Sequence, residues 1–209
     1  GLVGSDGKTH PGCFDLSYLS MMPDMTIMAP KNKWELSDMM KFAVHCQGPV
    51  ALRYPRGEAY TGLEEFRAPI EAGKAEVIRE GSQIALLAVG NMVKIAEEVA
   101  DRLQERGVSA TLVNMRFVKP FDRDLLKKLA ENHPVFVTME ENVESGGFGQ
   151  QVLAFCGEAG LDVSVCIAAV PDCFIGHGSV DWQRKQTGLD ADSILERIDK
   201  LRERQENRK

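Results

Sequence analysis

The stretch SQIALLAVGNMVKIAEEVADRLQERGVSATLVNMRFV, residues 82–118, decides the fold class, because its hydrophobic period changes twice within it. SQIALLAVG is a short, nearly unbroken apolar run, the pattern of a strand buried on both faces. Met92, Ile95, Ala96, Val99, Ala100 and Leu103 then recur at helical spacing, and Gly107 follows as a C-cap. SATLVNMRFV returns to extended structure as one predicted strand. Strand, amphipathic helix, strand is the unit of a parallel sheet.

The pattern repeats outward. KAEVIRE (74–80) precedes the stretch as a strand. Pro120 and Asp122 open a helix carrying Leu125, Leu126, Leu129 and Ala130, before the strand VFVTME (135–140). A helix over Gly149–Glu158, the strand VSVCIAAV (163–170) and a last helix with Ile194, Leu195, Ile198 and Leu201 complete the unit. The expected fold is a mostly parallel α/β sheet covered on both faces. Toward the N-terminus, MTIMAP (25–30) reads as a buried strand, and Leu36, Met39, Met40, Ala43 and Val44 form a helical stripe stopped by Gly48-Pro49. VALRYPRG (50–57) reads as a strand from Val50 to Tyr54, ended by Pro55. Residues 58–72 lack a clean period and hold Gly62 and Pro69, which makes them a linker between two units, 1–57 and 73–205, with a polar tail at 206–209. The first residues, Gly1-Leu2-Val3-Gly4, read as the end of a strand entering a loop, so a fragment of a longer protein is expected.

Composition narrows the function classes. The 209 residues carry a net charge of −6, with the only basic run near Arg202–Lys209, so no nucleic-acid partner is expected. No apolar run reaches the roughly 18 residues of a membrane helix. Cys13, Cys46, Cys156, Cys166 and Cys173 are odd in number and lack CxxC spacing, which points to free thiols in a reducing, cytoplasmic setting and away from structural zinc.

Chemistry concentrates in SDGKTHPGCFDLSYL, residues 5–19, where Asp6, Lys8, Thr9 and His10 stand among Gly7, Pro11 and Gly12. Glycine and proline exclude a regular helix there, so the ionisable groups sit on a loop at the carboxyl end of a strand, where open α/β sheets collect ligands. Arg53 and Arg56 lie at the end of a second strand. A guanidinium there offers a fork of donors matched to phosphate oxygens. Its alternative is an ion pair with a neighbouring carboxylate, which is the favoured reading for Arg53. His10 can act as a general acid or base, donate to a substrate oxygen, or be satisfied within its own loop. His45 and His133 read as structural or surface residues, and His177 as part of a turn. Glu140, Glu141, Gly146, Gly147 and Gly149 in MEENVESGGFGQ (139–150) match no phosphate-loop pattern, and close backbone approach explains the glycines equally well.

Five segments in order, GLVGSDGKTHPGCFDLSYLSMMPDMTIMAP, GPVALRYPRG, VNMRFVKPFD, TMEENVESGGFGQQV and PDCFIGHGS, resemble the C-terminal half of the 1-deoxy-D-xylulose-5-phosphate synthase family, within the thiamine-diphosphate-dependent transketolase superfamily. RYPRG and the GGFG segment also resemble 2-oxoacid dehydrogenase E1 β subunits, and the loop with Asp6 and His10 resembles that of transketolases. THPGCFDLSYL together with NMRFVKP selects the synthase, although Pro11 and Cys13 stand where that family has Gln and Ala. The resemblance implies that 1–57 is the second half of a pyrimidine-binding domain and 73–205 a three-layer transketolase C-terminal domain. It implies condensation of pyruvate with D-glyceraldehyde 3-phosphate and loss of CO2, with thiamine diphosphate and Mg2+ held mostly by residues upstream of Gly1, in a homodimer. His10 would hydrogen-bond reacting oxygens, Asp6 would orient acceptor hydroxyls, and Arg56 would hold the acceptor phosphate. The 209 residues alone would be inactive, a structural or dimerisation module.

Overall fold

The computed structural model describes residues 1–207. Residues 208 and 209 of the expected tail lie outside the described residues. The larger sheet contains β3 (Glu76–Arg79), β4 (Ile84–Ala88), β5 (Ala110–Asn114), β7 (Val135–Val143) and β8 (Ser164–Val170), in the order β3-β5-β4-β7-β8. All neighbours are parallel except β3, an antiparallel edge strand on β5. The expected mostly parallel α/β sheet is what forms.

Residues of β4 alternate between two cores. Ile84, Leu86 and Ala88 join one apolar cluster with α3 (Met92–Glu105) and α7 (Ala191–Glu206). Ala85 and Leu87 join the other with α4 (Arg123–Ala130) and α5 (Phe148–Glu158). Strand β4 is therefore covered on both faces, which explains its unbroken apolar sequence. Two of these helices, α4 and α7, start at a side-chain cap: Asp122 accepts from the Leu125 amide at 3.1 Å, and Asp190 from Ser193 at 3.2 Å.

A smaller sheet has the order β2-β1-β6, from β1 (Thr26–Met28), β2 (Val50–Leu52) and β6 (Phe117–Lys119). Here the structure corrects the sequence reading twice. SATLVNMRFV is not one strand: it breaks after Asn114, and Phe117–Lys119 leaves the large sheet to pair antiparallel with β1. Strand β2 ends at Leu52, which puts Arg53 just beyond it. Two helices were also missed, α1 (Asp15–Ser20) and α6 (Val180–Thr187), alongside the expected α2 (Lys33–Val44).

The break at Met115-Arg116 has a physical cause. Arg116 is fully buried and donates to Glu35 at 2.8 Å and to the carbonyls of Ala68 and Pro69. Lys31, equally buried, donates to Glu76 at 2.7 Å and to the Phe66 carbonyl at 2.9 Å. Two cations and two carboxylates thus neutralise one another where α2, the segment 63–69, β3 and the β5–β6 turn meet. A buried charge is tolerated only when paired and hydrogen-bonded, so this arrangement sets how these pieces join.

Candidate active site

Residues 1–14 form a chain of turns that precedes α1. Its base is closed by the Gly12 amide donating to the Gly1 carbonyl at 2.9 Å. Gly4 and Gly7 have φ of +80° and +71°, a region that side chains with a Cβ avoid, so glycine is required for this path. Leu2 and Cys13 flank the loop and are buried in the apolar cluster of α3 and α7. Burial pushes the Cys13 thiol up to about 11, so it stays protonated at neutral pH and belongs to the packing.

Asp6 forms an ion pair with Arg56, the second arginine of RYPRG. Their side chains are 33% and 59% exposed, so the pair stands in water. His10 is exposed on the same loop, with its Nδ1 2.8 Å from the Thr9 hydroxyl. The structure therefore brings Asp6 and Arg56 together and leaves His10 beside Thr9. Arg56 also borders a cleft of about 580 Å³ whose walls include Tyr54, Tyr60, Asn91, Lys94 and Arg184; Asp6 and His10 lie outside that lining.

Arg53 plays the other part. It is buried and donates to the Glu141 carbonyl at 2.6 Å, to the Gly12 carbonyl at 3.2 Å and to Asp15 at 3.4 Å. The ion-pair reading was the right one, and its effect is to fasten the base of the loop to the end of β7. His133 is likewise structural, buried between the Thr111 hydroxyl at 2.7 Å and the Leu129 carbonyl at 2.8 Å. His45 and His177 are exposed.

Glu140 and Glu141 are adjacent, fully buried, and opposite in behaviour. Glu141 accepts from Arg184 at 2.8 Å, from Asn91 at 2.8 Å and from the Leu2 amide at 3.1 Å. Burial alone would raise its pKa; Arg184, Arg53 and the Asn91 hydrogen bond outweigh it and hold the carboxyl below its ordinary value. Glu140 receives only backbone donors, Phe148 N at 2.9 Å and Gly149 N at 2.7 Å, at the start of α5. Burial pushes it up to about 7, against the pull of those two amides and of Arg53. A Cβ on Gly147 would sit 2.7 Å from the Glu140 carboxylate, and one on Gly149 would sit 2.5 Å from the Thr138 hydroxyl. The glycines of GGFG thus serve close approach to β7.

Among the described residues, no group of three or more His, Cys, Asp or Glu side chains is placed to hold a metal ion. Among the described residues, too, no helix is long and apolar enough to cross a membrane.

Residues 1–61 match the transketolase pyrimidine binding domain, and residues 73–194 the transketolase C-terminal domain. The 1-deoxy-D-xylulose-5-phosphate synthase of Lachnoclostridium phytofermentans is 45% identical over 199 residues, covering 95% of this chain and 32% of that protein. The enzyme of the same name from Thermomicrobium roseum is 46% identical over 200 residues, 94% of this chain and 32% of the relative. The chain thus spans about a third of the length of these curated relatives. Among solved structures, a split-gene transketolase described as an inactive β4 tetramer superposes with a TM-score of 0.87 at 27% identity, covering 95% of this chain and 64% of that one. A transketolase from Campylobacter jejuni superposes at 0.73 with 19% identity, over 93% of this chain and 29% of that one, a likeness of fold.

Proposed function

We propose that this chain, which belongs to the transketolase family, is the C-terminal part of a cytoplasmic, homodimeric 1-deoxy-D-xylulose-5-phosphate synthase. The whole enzyme would condense pyruvate with D-glyceraldehyde 3-phosphate and release CO2. The observation that carries this reading is the pairing of Arg56 with Asp6, whose exposed loop also carries His10. An exposed ion pair is worth only about 0–1 kcal/mol, so an incoming phosphate displaces the Asp6 carboxylate from Arg56 at little cost. The guanidinium then holds the phosphate through charged hydrogen bonds, and the freed carboxylate accepts from the hydroxyls of the same substrate. His10, six residues before the first buried position of α1 at Leu16, donates to an oxygen on which charge develops.

Thiamine diphosphate, when bound, supplies the electron sink for decarboxylation. Because the chain corresponds to about a third of the length of its synthase relatives, the cofactor's diphosphate and magnesium are assigned mostly to residues outside this chain. The 209 residues alone are accordingly expected to be inactive. The test is release of CO2 from pyruvate by the full-length protein that contains this chain. Release that rises on addition of glyceraldehyde 3-phosphate supports the synthase. Turnover that needs a lipoyl acceptor or a ketose donor instead would assign the chain to an E1-like enzyme or a transketolase.

A further inference from the structure

We infer that the C-terminal unit is part of the active site: the segment 171–179 and α6 form a cradle for the loop bearing Asp6 and His10, with Gln183 as the positioning residue. This rests on the reading of that loop as the substrate loop.

Gln183 is 3% exposed, and its amide meets the loop at one residue, Gly4. Its Oε1 accepts from Gly4 N at 3.0 Å, while its Nε2 donates to Gly4 O at 3.3 Å and to Gly176 O at 2.9 Å. The orientation of the amide is dictated by these partners, because a flipped amide would put its NH2 against an N–H and its oxygen against two carbonyls. Gly4 O accepts a further bond from Gly178 N at 3.4 Å. Two residues earlier, Leu2 N is held by Glu141, whose other oxygen is fixed by Arg184, the neighbour of Gln183 on α6. Phe14, on the far arm of the loop, meets Phe174 edge to face at 6.3 Å between ring centres. Both arms of the loop therefore rest on 171–184. Between them Asp6 and His10 project from a stretch of turns with little internal bonding, so their position depends on the cradle as well as on the Arg53 and Arg56 contacts.

The geometry also leaves no slack. A Cβ on Gly4 would lie 3.0 Å from Gly178 O, and one on Gly178 would lie 2.4 Å from the Trp182 ring. Gly4 thus lets loop and cradle come into backbone contact, and Gly178 lets the Trp182 ring of α6 pack directly behind that contact. A small displacement of a catalytic loop is expensive, since about 1 Å of misplacement costs up to 100-fold in rate.

The test compares Gln183→Leu, which keeps the bulk and removes the amide, with wild type in two measurements. In the 209-residue chain, hydrogen exchange of amides 4–13 is expected to accelerate about tenfold, the loss of a buried hydrogen bond, with β4 and β7 unchanged. In the full-length protein, kcat is expected to fall at least about tenfold while the KM for pyruvate moves less than about twofold. Leu129→Ala, in the opposite core, lowers Tm without touching the loop and is expected to keep kcat. Should Gln183→Leu fail to fold, Phe174→Ala, at a side chain 71% exposed, is expected to give a smaller acceleration in the same amides. Unchanged loop exchange, or a fall in Tm with kcat retained as in Leu129→Ala, overturns the proposal. If wild type does not turn over pyruvate with glyceraldehyde 3-phosphate, the synthase reading fails, and the exchange measurement still decides whether the cradle holds the loop.

Discussion

The same charged residue types do opposite things in two regions of this molecule. At the junction of α2, β3 and β6, Lys31, Glu35, Glu76 and Arg116 are all 5% exposed or less and bond one another and nearby carbonyls. Asp6, on the first loop, pairs with Arg56 where solvent reaches both side chains. Removing one member of the buried set strands a charge away from water, whereas water replaces either partner of the exposed pair. The buried set therefore holds structure, and the exposed pair is free to exchange its partner for a substrate.

The largest effect expected from this contrast is at Arg116. Arg116→Met should lower the unfolding free energy by about 3–5 kcal/mol, because Glu35 loses its closest cation; urea titration reads this directly, and a loss below about 1 kcal/mol would break the comparison. At the exposed pair the effect moves from stability to substrate. Arg56→Ala should change the urea midpoint little but raise the KM for glyceraldehyde 3-phosphate by one to two decades, for a charged hydrogen bond worth about 1.5–3 kcal/mol. Equal damage to the pyruvate KM would remove Arg56 from the acceptor site. His10→Ala should reduce kcat about tenfold or more, with a smaller change in either KM, since its bond strengthens as charge develops. Wild-type turnover would make His10 a loop residue satisfied by Thr9.

The mildest effect concerns Glu140. Its folded carboxyl is pushed up to about 7, above the unfolded carboxylate range, so the native state binds the extra proton between those values. Stability from this group is present at low pH and is lost as pH rises toward and through about 7. Glu144 and Arg53 also act on it, with opposite signs. Urea midpoints measured from pH 5 to 8 should decline in wild type and flatten in Glu140→Gln, whereas Glu141→Gln should lower stability across the whole range. Parallel slopes for wild type and Glu140→Gln would show that Glu140 does not titrate there.

The helix α6 shows where sequence reading fell short. Ser179 accepts from Trp182 N at 3.2 Å as N-cap, and Gly188 closes the helix with φ of +68°, both visible as a Ser-to-Gly frame. Its period was masked because most of its residues are polar, Gln183 being buried for a hydrogen bond. Gln183 itself carries no local signal: its partner, Gly4, is 179 positions away.

What the sequence by itself determined was whatever depends on neighbours in the chain. Unbroken apolar strands between amphipathic helices require a doubly covered sheet, and Gly7, Pro11 and Gly12 require the loop that carries Asp6 and His10. The tertiary structure alone decided how charges were shared. Arg53 and Arg56 are three residues apart in one motif, yet one is buried against Glu141 and the other faces water beside Asp6. Likewise NMRFV divides between two sheets because Arg116 finds its carboxylate on α2. An ion's energy depends on its dielectric surroundings and on partners distant in sequence, and folding alone brings those together.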